Sequence, residues 1–181
     1  MQSLRLKNQK KIKKITYIAM LFAITVVLMS IEAIIPPIPT LPPGIKLGLS
    51  NIVIMYCIFF LNAKYAFAIL LMKSTFVFLT RGIIASILSL SGGLLSILAI
   101  IFILMFKKIE VSYTIISIFG SISHNMAQML VSSVILKNQA VLFYSPILII
   151  SGIVMGIITG VLLKVLIPSF KRIDTKNNVQ E

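Results

Sequence analysis

Seven polar or small residues, Ser117, Gly120, Ser121, His124, Asn125, Gln128 and Ser132, interrupt an otherwise apolar run in this 181-residue chain. Offsets of three and four put Ser121, His124, Gln128 and Ser132 on one face of a helix, with Asn125 beside them. Hydroxyl, imidazole and amide groups in that register can orient a ligand by hydrogen bonds, or can bond one helix to another. Five more polar residues stand in or beside apolar runs: Glu32, Lys46, Asn51, Lys73 and Arg81. A charge buried in a bilayer costs about 2.5 kcal/mol or more, so each requires a partner, a water-filled cavity or a ligand. Three cations against one carboxylate favour an anionic or phosphate-bearing solute, with Asn51, His124, Asn125 and Gln128 as hydrogen-bonding groups. The alternative is that Glu32 neutralises one lysine and the pair merely ties helices together.

Catalysis finds little to work with. His124 is the only histidine and the chain has 4 acidic residues, so no metal site and no cofactor are expected. The single aspartate, Asp174, lies in a polar tail. There is no GxSxG elbow, phosphate loop or CxxCH haem attachment. Cys57 is the lone cysteine, which excludes an internal disulfide.

The elements that must position these residues follow from composition. Hydrophobic residues make up 59% of the chain and charged ones 12%, with a mean hydropathy of +1.08. That exceeds the roughly half apolar content of a soluble domain and predicts an all-α, polytopic membrane protein. Six apolar runs, over residues 16–35, 47–61, 65–79, 82–106, 113–136 and 144–167, predict six transmembrane helices. The second and third are short for a full crossing, so tilt or a kink is expected there. Ser91-Gly92-Gly93, in the middle of the fourth, predicts a broken helix or two short pieces.

The net charge of +13 is distributed as in a membrane protein and not as in a nucleic-acid binder. Basic residues crowd before the first run and after the last, which fits lipid headgroups and the positive-inside rule. With six spans, 13 of the 17 basic residues fall on the side of the termini, which are therefore expected to be cytoplasmic. The organisation expected is a basic segment over 1–14, a transmembrane domain over 15–167 and a polar tail over 168–181. Within the domain, residues 36–44 hold five prolines and predict a stiff external segment, either a lid over the helices or a plain connector. Gly152, Gly156 and Gly160 form a stripe that admits a close helix neighbour. Ala19 and Ala23 form a narrower one, for internal packing or for an outside partner.

The order Glu32 to Pro37, Pro43-Gly44-Ile45-Lys46-Leu47-Gly48-Leu49-Ser50-Asn51, Ser91-Gly92-Gly93, His124-Asn125-Met126-Ala127-Gln128, Pro146 and the three glycines of the last run resembles the Gx transporter family. That family is often labelled heptaprenyl diphosphate synthase component I, and the resemblance covers roughly residues 15–167. The family is similar to the substrate-binding S components of energy-coupling-factor (ECF) transporters. The resemblance implies six helices, cytoplasmic termini in the plasma membrane, and an outward pocket capped by the first external loop. It also implies docking on a transmembrane coupling subunit through the AxxxA string Ala19-Met20-Leu21-Phe22-Ala23, with ATPase subunits supplying energy. Relatives are also similar to membrane components of flavin-based extracellular electron transfer or of isoprenoid and quinone metabolism, which is the alternative reading. In neither is the chain itself an enzyme, since a prenyl synthase needs carboxylates to hold magnesium.

Overall fold

The structure is a computed structural model and describes residues 2–34, 48–105 and 112–177. The proline segment, Lys46 and the Lys107-Lys108 connection lie outside the described residues. Among the described residues the chain is all α-helical with no strand. In order, the helices are α1 (Gln2–Ile34), α2 (Asn51–Tyr56), α3 (Ala63–Arg81), α4 (Ile83–Met105), α5 (Tyr113–Ile135) and α6 (Ser145–Asn177). A π-helical turn, Cys57–Leu61, continues α2, and a 3-10 segment, Gln139–Tyr144, leads into α6.

Local chemistry sets several of these ends. The Asn62 side chain accepts from the Lys64 amide at 3.1 Å and opens α3, and the Ser112 hydroxyl accepts from Ile115 at 3.3 Å and opens α5. Each supplies an acceptor to a helix end that has none of its own. Gly82, at φ +86°, separates α3 from α4 by one residue. That left-handed conformation suits glycine, and it lets two long helices reverse without a loop.

Helices α3 to α6 form a row of antiparallel neighbours. The Ser86 hydroxyl donates across the turn to the Ser74 carbonyl at 2.8 Å. On α6, Gly152, Gly156 and Gly160 face Ile122, Ile118 and Thr114 of α5 in descending order. The core beneath this row joins Tyr17 and Leu21 of α1, residues 52–56 of α2, Ile69 and Leu70 of α3, Ile97 and Ile100 of α4, Ile116 of α5 and Leu163 of α6. Tyr17 and Tyr56 meet there hydroxyl to hydroxyl at 3.0 Å.

The outside is as apolar as the inside. Leu79, Ile83, Phe102, Val134, Ile150 and Val165 are all more than half exposed, a surface that water would not tolerate and lipid would. Four helical stretches are long and apolar enough to cross a membrane: Lys11–Ile34, Ala63–Arg81, Ile83–Met105 and Gln139–Pro168. The α2 stretch, Asn51–Leu61, is shorter, and every residue of α2 is buried by its neighbours. Helix α5 has the length, but its polar stripe lowers its hydropathy, and that stripe turns inward.

One expectation is resolved here. Helix α4 is continuous through Ser91-Gly92-Gly93, because its hydrogen-bond ladder is intact and the missing side chains are replaced by those of neighbours. A Cβ at Gly92 would lie 2.6 Å from His124 Cε1, and one at Gly93 would overlap Leu70. The glycines are notches in a helix and not a break in it. The terminal helices also run past the apolar domain, α1 starting at Gln2 within the basic segment and α6 reaching Asn177 through Pro168. A helix needs no buried face to continue beyond the membrane once its nucleus has formed.

A candidate ligand cavity between five segments

A cavity of about 260 Å³ lies between α1, the turn before α2, α3, α4 and α5. Each helix shows it one strip of surface at one-turn spacing: Met29 and Glu32 from α1, Lys73, Val77 and Arg81 from α3, Ala85 and Ser89 from α4, His124 and Gln128 from α5. Gly48 and Ser50 close it from the turn. This spacing is the helical repeat at work, since residues three or four apart share a face.

The two buried charges are held without an ion pair among the described residues. Glu32 Oε1 accepts from the Gly48 amide, and Lys73 Nζ donates to Asn51 Oδ1 at 2.8 Å. Both are more than nine-tenths buried. Gly48 has φ +85°, and a Cβ there would lie 2.8 Å from Asn51 Nδ2. A short bridge therefore runs from Glu32 through Gly48 and Asn51 to Lys73, with glycine at the one point where the chain must pass close. Arg81 is exposed at the end of α3, where the cavity reaches the surface. Lys73 and Arg81 against Glu32 leave the cavity lining positive.

The opposite wall is uncharged. His124 and Gln128 are 2% and 4% exposed, and Ser89 is 8% exposed. The Gly92 notch admits both α5 side chains, His124 by its ring edge and Gln128 by its Cγ, which would lie 3.0 Å from a Cβ at that position. Ser89 Oγ, His124 Nδ1 and Gln128 Oε1 are buried and have no hydrogen-bond partner among the described residues. In an apolar surrounding such atoms are costly, each by about 1–3 kcal/mol.

Of the residues singled out in the sequence, Glu32, Lys73, Arg81, His124 and Gln128 come together around this cavity. Asn51 does not line it and instead holds Lys73. Asn125 turns to α6, donating to the Leu148 carbonyl at 3.0 Å and the Ser151 hydroxyl at 3.2 Å. Lys46 lies outside the described residues. Ala19 and Ala23 are exposed on α1, whereas Gly152, Gly156 and Gly160 are covered by α5. Sequence reasoning did not single out Gly48, Ser89 or Gly92 as site residues. Gly48 sits between Lys46 and Asn51, and Gly92 lies one turn from Ser89, so proximity to polar residues was the signal available. Among the described residues no group of three or more histidine, cysteine or acidic side chains could hold a metal ion.

A helical bundle with an apolar exterior and a charged internal cavity defines an all-α, membrane-embedded protein. The chain belongs to the family described as heptaprenyl diphosphate synthase component I, whose model matches residues 21–166. No curated protein and no solved structure matches it significantly.

Proposed function

We propose that this protein is the membrane-embedded substrate-binding component of a transporter, taking a small anionic solute into the cavity for uptake driven by partner subunits. The observation that carries the reading is the cavity itself. It is enclosed by five segments and places Lys73 and Arg81 opposite buried, partly unsatisfied polar groups. A volume of about 260 Å³ lies just below the ~300–1,000 Å³ of drug-sized sites and suits a small solute. Energy must come from outside the chain, since its sequence holds no phosphate loop. Exposed Ala19 and Ala23 on α1 offer a smooth strip where a transmembrane coupling subunit can dock, with ATPase subunits bound to that partner in turn. The excess of basic residues on the side of the termini supports a plasma-membrane protein with both termini cytoplasmic.

The family's description names a synthase component, and a non-catalytic role is the reading we favour. The carboxylates needed to hold magnesium on a diphosphate are too few, with Asp174 the only aspartate. The test is binding by the full-length protein in lipid nanodiscs, with native mass spectrometry of co-purifying molecules and titration with small anions. Wild-type protein is expected to bind, and Lys73→Met to weaken binding at least about tenfold. Absence of any bound small molecule, with uptake and growth unaffected by Lys73→Met and His124→Ala, overturns the reading. Ala19→Leu with Ala23→Leu is expected to abolish capture of the coupling subunit while leaving thermal stability unchanged, and retained capture would assign the strip to lipid.

A further inference from the structure

We propose that the cavity takes a small organic anion that also carries an ammonium group, of the acidic amino acid or aminoalkyl phosphate kind, and discriminates against the same anion without the ammonium. The inference rests on the transport reading above and specifies its substrate class. Its basis is a pair of opposite charges that share one space and do not meet. Glu32 of α1 and Lys73 of α3 both line the cavity and are both more than nine-tenths buried. Each is bonded to the stretch from Gly48 to Asn51 and not to the other.

Opposite charges attract strongly where water is scarce, and they close on each other unless something holds them. Here the Gly48 amide holds Glu32 Oε1 and Asn51 Oδ1 holds Lys73 Nζ, which keeps the charged ends apart. Both retain bonding capacity. An ammonium has three donors, of which Lys73 spends one on Asn51. The second oxygen of Glu32 has no partner among the described residues, and unlike Ser89 Oγ and Gln128 Oε1 it is not closed off by protein. The cavity therefore offers an acceptor on a negative charge and donors on a positive one at separate points.

A ligand with one sign of charge satisfies only one of them. A plain anion drawn to Lys73 brings its charge beside the buried Glu32 carboxylate, and juxtaposed like charges are strongly unfavourable. A plain amine meets the same repulsion from Lys73 and Arg81. A ligand ammonium bonded to Glu32 removes the conflict and leaves the anionic group to Lys73. Arg81 stands about two turns beyond Lys73 on α3, with Val77 between them, and adds positive charge where the cavity reaches the surface. Two cations against one carboxylate in the lining are matched by a ligand with two negative charges and one ammonium. Met29, Val77 and Ala85 supply apolar lining suited to the short carbon skeleton that joins these groups.

The test uses full-length protein in phosphatidylglycerol nanodiscs, whose headgroups carry no ammonium, and matched pairs of probes: L-glutamate against glutarate, and O-phosphoethanolamine against ethyl phosphate, with inorganic phosphate as control. The ammonium-bearing member of each pair is expected to bind at least about tenfold tighter than its partner. Glu32→Gln, which keeps an oxygen for the Gly48 amide, is expected to erase that preference while the ammonium-free anions bind as tightly as before or tighter. Lys73→Met should weaken every probe. The same titrations in phosphatidylethanolamine discs should give unchanged affinities, and competition by that headgroup overturns the assignment to a free solute. Equal binding within each pair, tightest binding by inorganic phosphate, or a preference that survives Glu32→Gln overturns the ammonium requirement but leaves anion binding standing, with Glu32 serving only to hold the turn. Failure of every probe to bind overturns the inference together with the anionic cavity on which it rests.

Discussion

Helices α4 and α6 both meet α5 through glycines, yet what enters the gap differs. On the α6 side the neighbour is backbone. A Cβ on Gly160 would lie 2.7 Å from Thr114 Cα, one on Gly152 would lie 3.0 Å from Ile122 Cα, and one on Gly156 would overlap the backbone of Ile118. On the α4 side the neighbour is side chain, with His124 and Gln128 reaching toward Gly92 and Leu70 toward Gly93. Both are small-residue contacts by composition, and only one of them makes a site. Backbone-to-backbone contact brings axes together and leaves no room. Notches filled by side chains hold the axes where they are and place functional groups in the gap.

That contrast can be broken most forcefully at Gly156. Leucine there must push α5 away along its whole length, since Ile118 offers backbone and cannot rotate aside. The expected outcome is a loss of about 3 kcal/mol or more, read as loss of folded protein on unfolding from bilayers or micelles. Retention of wild-type stability would show that the α5–α6 contact is not close-packed. A smaller effect is expected at Asn125, whose bonds to Leu148 and Ser151 reinforce the same interface. Asn125→Ala should cost about 0.6–1.7 kcal/mol in the same assay. It should leave ligand binding near wild type, because the side chain faces α6 and not the cavity. A large loss of binding without loss of stability would reassign Asn125 to the site.

The smallest stability effect belongs to Gly92. An added Cβ meets the ring edge of His124 and the stem of Gln128, and both can swing away, while alanine improves helix propensity by about 1 kcal/mol. Gly92→Ala is therefore expected to fold with stability within about 1 kcal/mol of wild type and to weaken ligand binding about tenfold as the displaced side chains enter the cavity. Unchanged binding would show that the notch serves packing alone. Between Asn125→Ala and Gly92→Ala, stability loss and binding loss should run in opposite orders.

Much of the architecture was legible because hydropathy is a local property. Each apolar run corresponds to a helix, and the inward turn of the α5 stripe follows from the inability of lipid to bond to it. Charge was legible in part. Glu32 and Lys73 were expected to have a partner, a water-filled cavity or a ligand; the partners they have are a backbone amide and an asparagine, supplied by a turn whose path no sequence pattern gives. The α4 glycines raised a possible break that the sequence could not decide, since glycine's local tendency is to end helices and the side chains that fill its place come from residues 23 or more positions away in the chain.

The neighbours Asn125 and Gln128 mark the limit best. Periodicity puts both on the inner side of α5, and that much the order of residues determined by itself, as it determined the all-α class, the apolar exterior and the surplus of positive charge. Which inner direction meets a bonding partner and which meets open space was decided only by the tertiary structure. A helix face is set by the backbone repeat, whereas the satisfaction of a polar group on that face depends on the shape of whatever packs against it.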